Sequence, residues 1–252
     1  DSNALAAVSS SGSLIFLMVG FFNGVSVGAG VVISRFFGAR DTEKVEKSVH
    51  TAIAFGLVAG MALTMIGILS TPYLLRWMET PEDILPSSIA YFRIYFCGSF
   101  AFVLYNICAG ILQSVGDSKH PLMYLMISTV TNVILDLFFV AVLGYGVGSA
   151  ALATVISQFL SAILCFIHLI RTQEEYRVIP RNIRFDKEML GQIIRNGLPT
   201  GLQNSIIAFA NVVVQSNINS FGKMAVAGCG AYSKIEGFGF LPINCFAMAL
   251  TT

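Results

Sequence analysis

Seven apolar runs, each long enough to cross the hydrocarbon of a bilayer, take up most of this 252-residue sequence. A membrane helix needs about 17–25 such residues. The runs are roughly 12–36, 50–71, 87–113, 121–143, 147–170, 199–221 and 224–250. In lipid every backbone polar group must be satisfied internally, which restricts spanning segments to helices and closed barrels. The alternation of barrel strands is missing here, so an all-α integral membrane protein, multi-pass in a lipid bilayer, is predicted. Composition agrees. Charged residues make up 12% of the chain, about half the share of a soluble domain.

Loop charges set the orientation. Arg35, Arg40, Lys44 and Lys47 follow the first run, Lys119 follows the third, and Arg171, Arg177, Arg181, Arg184, Lys187 and Arg195 follow the fifth. The alternate connections hold only Arg76, Arg93, Lys223 and Lys234. The positive-inside rule puts the first set in the cytoplasm, and all seven runs then alternate without conflict. A net charge of +1 gives no reason to expect a nucleic-acid partner. Cys97, Cys108, Cys165, Cys229 and Cys245 fall inside apolar runs without metal-like spacing, and are predicted to be small core residues. Gly20, Gly24 and Gly28, like Gly56 and Gly60, make stripes suited to close helix packing; Asn23, between them, is a candidate cavity residue. The opening Asp1-Ser2-Asn3 has no basic region of the signal-peptide kind.

Against this apolar background the embedded polar residues stand out. Asp136 lies within the fourth run, where a charge costs several kcal/mol and by default marks function. Thr129 and Asn132 share its helical face, and Thr154, Ser157, Gln158 and Ser161 recur at helical spacing on the next run. A short connection makes the two runs antiparallel neighbours. Asp136 and Thr154 are then expected at similar depth, about 10 Å below the outer surface at 1.5 Å per residue. A carboxylate, an amide oxygen and a hydroxyl form the hard-ligand set that suits a small cation. Asp136, Asn132 and Thr154 are therefore the candidate cation site, a metal site if the ion is Na⁺. Tyr91, Tyr95 and Asn106 line one side of the third run, and Asn204, Asn211 and Gln215 mark the sixth. With Gln158 and Glu236, the sixth run's Asn211 and Gln215 and this aromatic and amide face form a candidate cavity wall for flat organic cations. His50, His120 and His168 fall at helix ends and are expected at the interface. No nucleophile–base pair or metal-spaced cluster lies within the runs, so no enzyme is predicted.

The connection at 171–198 is the longest. Asp186 precedes Met189, Leu190, Ile193 and Ile194, an amphipathic pattern with basic flanks, expected to lie along the membrane surface. A shift of 221 residues sets Ala4-Leu-Ala-Ala7 on Ala225-Val-Ala-Gly228 and Asn23 on Asn244. Such repeats are common in transporters. The expected organisation is an N-terminal lobe over 1–170, a linker over 171–198, and the start of a C-terminal lobe from 199 to 252. The register predicts one helix upstream of Asp1 and about four after Thr252.

Several motifs in this order are similar to those of the multidrug and toxic compound extrusion (MATE) family, of bacterial type. They are Ala4-Leu-Ala-Ala7, Phe37-Gly-Ala-Arg-Asp41, Gly116-Asp-Ser-Lys-His-Pro121, Asn132-Val-Ile-Leu-Asp136, Gly148-Ser-Ala-Ala-Leu-Ala-Thr154, Gly197-Leu-Pro-Thr200 and Pro242-Ile-Asn244. The resemblance implies two six-helix lobes around a cavity, and a monomeric antiporter in the bacterial inner membrane. It would export organic cations or drugs in exchange for Na⁺ or H⁺, with no cofactor besides that coupling ion. It also implies a cation site at the positions of Asn132, Asp136 and Thr154. One departure is that the run at 199–221 has no acid, where some members carry an essential Glu. The alternative is a flippase of lipid-linked sugars. Its pyrophosphate-binding cavity would need Arg or Lys, and in the membrane only Arg93 and Lys234 qualify.

Overall fold

A computed structural model of the chain describes residues 24–77, 85–142 and 147–220, with isolated positions between 236 and 246. Every regular element among the described residues is helical. Helix α1 spans Gly24–Gly38, α2 Thr42–Trp77, α3 Leu85–Ser114 and α4 Lys119–Asp136. The last continues as a π-helical stretch, Leu137–Val142. Helix α5 spans Val147–Arg171, and α6 runs from Lys187 to Ser220. Four of these are long and apolar enough to cross a membrane, over Thr42–Tyr73, Phe92–Ser114, Lys119–Val140 and Ala151–Arg171. They match the second to fifth predicted runs. The sixth run, within α6, is not among the four; of the seventh only isolated positions are described, and Asn23 lies outside the described residues.

The bundle is layered by small residues. Helix α3 packs along both α2 and α5, α4 lies on α5, and α6 touches α2. On α2, Gly56, Gly60 and Gly67 leave room for Ile107, Phe100 and Phe96 of α3. A Cβ on Gly67 would come within 2.2 Å of the Phe96 ring, so the glycine spacing sets how near α3 can lie. The core joins Val32 and Ile33 of α1, Val49 and Ile53 of α2, Ile111 and Leu112 of α3, and Cys165 and Leu169 of α5. Some buried hydroxyls bond carbonyls of their own helices, as with Thr71 to the Gly67 carbonyl at 2.6 Å and Ser114 to Ile111 at 2.7 Å, and others cross to a neighbouring helix. That is how a polar side chain is accommodated where water is excluded. Cys108 and Cys165 are buried as expected, whereas Cys97 is exposed.

Two turns on the side bearing the basic residues are built alike. After α1, Arg40 donates its N–H to the Phe37 carbonyl and Asp41 to that of Phe36. After α3, Gly116 donates to Gln113 and Asp117 to Leu112. These paired bonds are the Schellman closure, which needs a left-handed residue; Arg40 has φ 57° and Gly116 φ 89°. In each case the next residue is an aspartate that caps the following helix. Asp41 Oδ1 accepts the Lys44 N–H at 3.2 Å, and Asp117 Oδ1 accepts that of His120 at 3.2 Å.

The long connection differs from its expected form. Met189 and Ile193 are buried in the core rather than laid on a surface, and the helix they belong to runs through Pro199 to Ser220 without a break. Proline removes one backbone donor and usually ends a helix. The carbonyl this leaves without its helical N–H is that of Arg195; in the same turns the Thr200 hydroxyl bonds the Asn196 carbonyl at 3.3 Å, and the Asn196 amide bonds that of Gln192 at 2.9 Å. Upstream, Asp186 caps α6 by accepting the Glu188 and Met189 N–H groups, both at 3.0 Å. Its own N–H donates to Thr51 of α2 at 3.1 Å. His50, expected at the interface, is buried. Its Nδ1 faces the Glu46 carbonyl at 2.7 Å, and its Nε2 accepts the Ile179 N–H at 3.0 Å. The tautomer that satisfies both contacts carries its proton on Nδ1. The connection is thus stitched to α2.

Candidate functional site

The seam between α4 and α5 is made by residues four apart on α4, which repeat along one helical face. At its first step the Tyr124 hydroxyl meets His168 Nδ1 at 3.0 Å. One turn on, Ser128 donates to the Ser157 carbonyl at 2.5 Å. Next, Asn132 Nδ2 donates to Thr154 Oγ1 at 3.5 Å. Asp136 follows one turn later, half-buried. Its Oδ1 is shielded from solvent and has no hydrogen-bond partner. A buried acceptor left in this state costs about 1–3 kcal/mol, more if charged.

Thr129, expected on this seam, is turned away. It is exposed, and its hydroxyl donates back to Leu125 at 2.8 Å. Ser128 occupies the place instead. Periodicity allowed either residue, because the two are neighbours on the helix and only the rotation of α4 against α5 separates them. The remainder of α4 is apolar and outward: Leu122, Met126, Val130, Val133, Ile134 and Leu137 are 53–62% exposed. Asp136 is therefore an isolated acid beside a face fit for lipid.

A second feature had no signal in the sequence. The helix changes from α to π immediately after Asp136. At the junction the Leu137 N–H is shared between the Ile134 and Val133 carbonyls. A π-turn carries an extra residue, leaves the helix wider, and is frequent at functional sites. The apolar Leu137-Phe-Phe-Val-Ala-Val142 offers no residue type that announces it.

The other candidates are dispersed. Asn106 is half-buried on α3 with its amide donated to the Phe102 carbonyl at 2.7 Å, and its backbone carbonyl accepts Ser26 of α1 at 2.6 Å. Gln158 turns toward α3, its Oε1 3.0 Å from where a Cβ on Gly98 would stand. Tyr95 is half-buried on α3, Asn211 is exposed on α6, and Glu236 is half-buried in helical backbone. The side chains of Tyr91 and Gln215 lie outside the described residues. Of the whole set, the described contacts join Asn132 to Thr154, with Asp136 one turn beyond.

Three oxygens along this seam are of the type an alkali cation takes: Asp136 Oδ1, which has no hydrogen-bond partner, the Asn132 amide oxygen, and the Thr154 hydroxyl. Hard oxygen donors are the set such an ion prefers.

Comparison with known proteins places the fold. The MatE family profile matches residues 1–138. The chain belongs to the MATE family. It is 29% identical over 256 residues to the probable multidrug resistance protein YoeA of Bacillus subtilis (strain 168), covering 99% of this chain and 55% of that protein. It also superposes on the outward-facing conformation of a multidrug resistance MATE transporter of the MOP superfamily, with TM-score 0.90, 26% identity, and coverage of 99% of this chain and 56% of that one. The inward-facing conformation of such a transporter gives TM-score 0.83 at 27% identity, covering 99% and 57%. The chain spans about half the length of the curated relatives it matches. The all-helical membrane architecture predicted from the apolar runs is that of the MATE family.

Proposed function

We propose that this MATE chain forms part of a drug exporter, a secondary antiporter that releases amphipathic organic cations in exchange for Na⁺ or H⁺ in the bacterial inner membrane. Its residues 1–170 would belong to one lobe and those from 199 to the next, joined by the stitched connection. The observation that carries the proposal is the orphaned Oδ1 of Asp136, one turn beyond the Asn132–Thr154 contact. A carboxylate oxygen kept from both water and protein donors favours whatever cation reaches it. Na⁺ would be held by Asp136, Asn132 and Thr154; a proton would sit on Asp136 alone.

Either ion neutralises the seam, and that change in charge is what a coupled exporter needs to favour one arrangement of its helices over another. Asp136→Asn keeps the shape and removes the charge. In the full two-lobed transporter it is expected to abolish efflux of a fluorescent organic cation driven by Na⁺ or proton gradients, with helical content and monodispersity retained. Unchanged gradient-driven efflux by this variant would refute the assignment. Running the Na⁺ and proton gradients separately identifies the coupling ion.

A further inference from the structure

A second group of ligating side chains sits at the opposite end of α4 from Asp136, where the α3–α4 turn meets the last turn of α5. We propose that Asp117, His120 and His168 form a binding site for a divalent first-row transition metal ion, with zinc as the reference case. His120 Nδ1 lies 2.6 Å from Asp117 Oδ2, and His168 Nε2 lies 3.7 Å from the same oxygen. One ligand atom from each residue falls within 4.8 Å of the other two. Metal bonds of about 2.0–2.2 Å in a tetrahedron place neighbouring ligand atoms about 3.3–3.6 Å apart. The observed spacings straddle that value, so closing the three atoms on an ion takes side-chain adjustments and no helix movement. Two imidazoles and one carboxylate form a donor set that holds zinc, iron, cobalt or nickel.

The surroundings are those of a supported site. Asp117 Oδ1 is engaged by the His120 N–H, which turns Oδ2 toward the two rings. Tyr124 bonds His168 Nδ1 at 3.0 Å, leaving Nε2 as the ligating nitrogen, the outer-shell arrangement usual for a metal histidine. The two rings lie with centroids 4.4 Å apart. Side-chain exposures of 19% for Asp117, 20% for His168 and 42% for His120 allow an ion to enter while limiting hydration. A bound ion would tie the α3–α4 turn to α5, on the aqueous side rather than within the membrane.

The test uses the complete chain, free of any histidine tag, in detergent. Zn²⁺ is measured by equilibrium dialysis, and Co²⁺ serves as the spectroscopic probe. The expected result is one equivalent per chain, a Co²⁺ ligand-field spectrum of low coordination number, and at least tenfold weaker binding in each of His120→Gln and His168→Gln at unchanged helical content. Tyr124→Phe keeps every ligand and is expected to retain one equivalent, bound about 10–100-fold more weakly, the usual effect of removing an outer-shell partner. No saturable binding by the native chain, or full affinity in either histidine variant, overturns the site. Neither readout depends on Asp136 or on transport.

Discussion

Asp41 and Asp117 occupy the same place in two turns of one design, yet their surroundings give them different work. Asp41 is partly exposed on the aqueous side, where the Lys44 backbone N–H and then the Lys44 ammonium, 3.2 Å away, hold its carboxyl below the ordinary value of 3.8. A carboxyl lowered in the folded state stabilises fully above its unfolded pKa and loses that contribution as pH falls through the folded one. Asp41→Asn should therefore flatten the loss of thermal stability below about pH 4, with little change at neutral pH. Melting curves of the two proteins from pH 3 to 7 test this, and parallel curves would remove Asp41 from the acid response. At this scale much was legible. The contact of Asn132 with Thr154 was expected because embedded polar residues are few and helical spacing groups them. The choice of Ser128 over Thr129 was not, since a one-residue rotation of α4 is set by its contact with α5. Nor was the meeting of His120 and His168, residues 48 positions apart in sequence.

Among the elements, α4 departs furthest from its sequence reading. Its apolar run predicted a helix but not the π-turn over Leu137–Val142. Deleting one residue within that stretch, for example Phe139, would let α-type bonds close without shifting the register before Asp136. The expected outcome is a melting temperature equal to or above that of the parent, with ion-dependent efflux lost because the wide turn beside Asp136 is gone. Unimpaired coupling in a well-folded deletion would show the π-turn to be incidental. Helix α6 teaches the converse. The sixth run was expected to begin at Pro199, yet α6 starts at Lys187 and passes through that proline, with Met189 and Ile193 of its earlier turns buried in the core.

For the molecule as a whole, the decisive contact is the crossing of α1 and α6. A Cβ on Gly24 would lie 2.3 Å from the Gly201 Cα, and one on Gly28 would lie 2.3 Å from that of Gly197. The stripe at Gly24 and Gly28 announced close packing, though not its partner, which lies on the far side of the long connection. Gly28→Val puts a branched side chain where the backbone of α6 now stands. It is expected to force the two helices apart and lower the melting temperature in detergent by several degrees, of the order that a destabilisation of 1–3 kcal/mol produces. A melting temperature equal to the parent's would mean that the crossing bears little on stability. The contact has a further consequence. Helices that interlock through large side chains must unthread and reorder rotamers to separate, whereas two bare backbones have nothing to withdraw. A joint of this kind can close tightly and still part cleanly, with each surface left in the shape it had when shut.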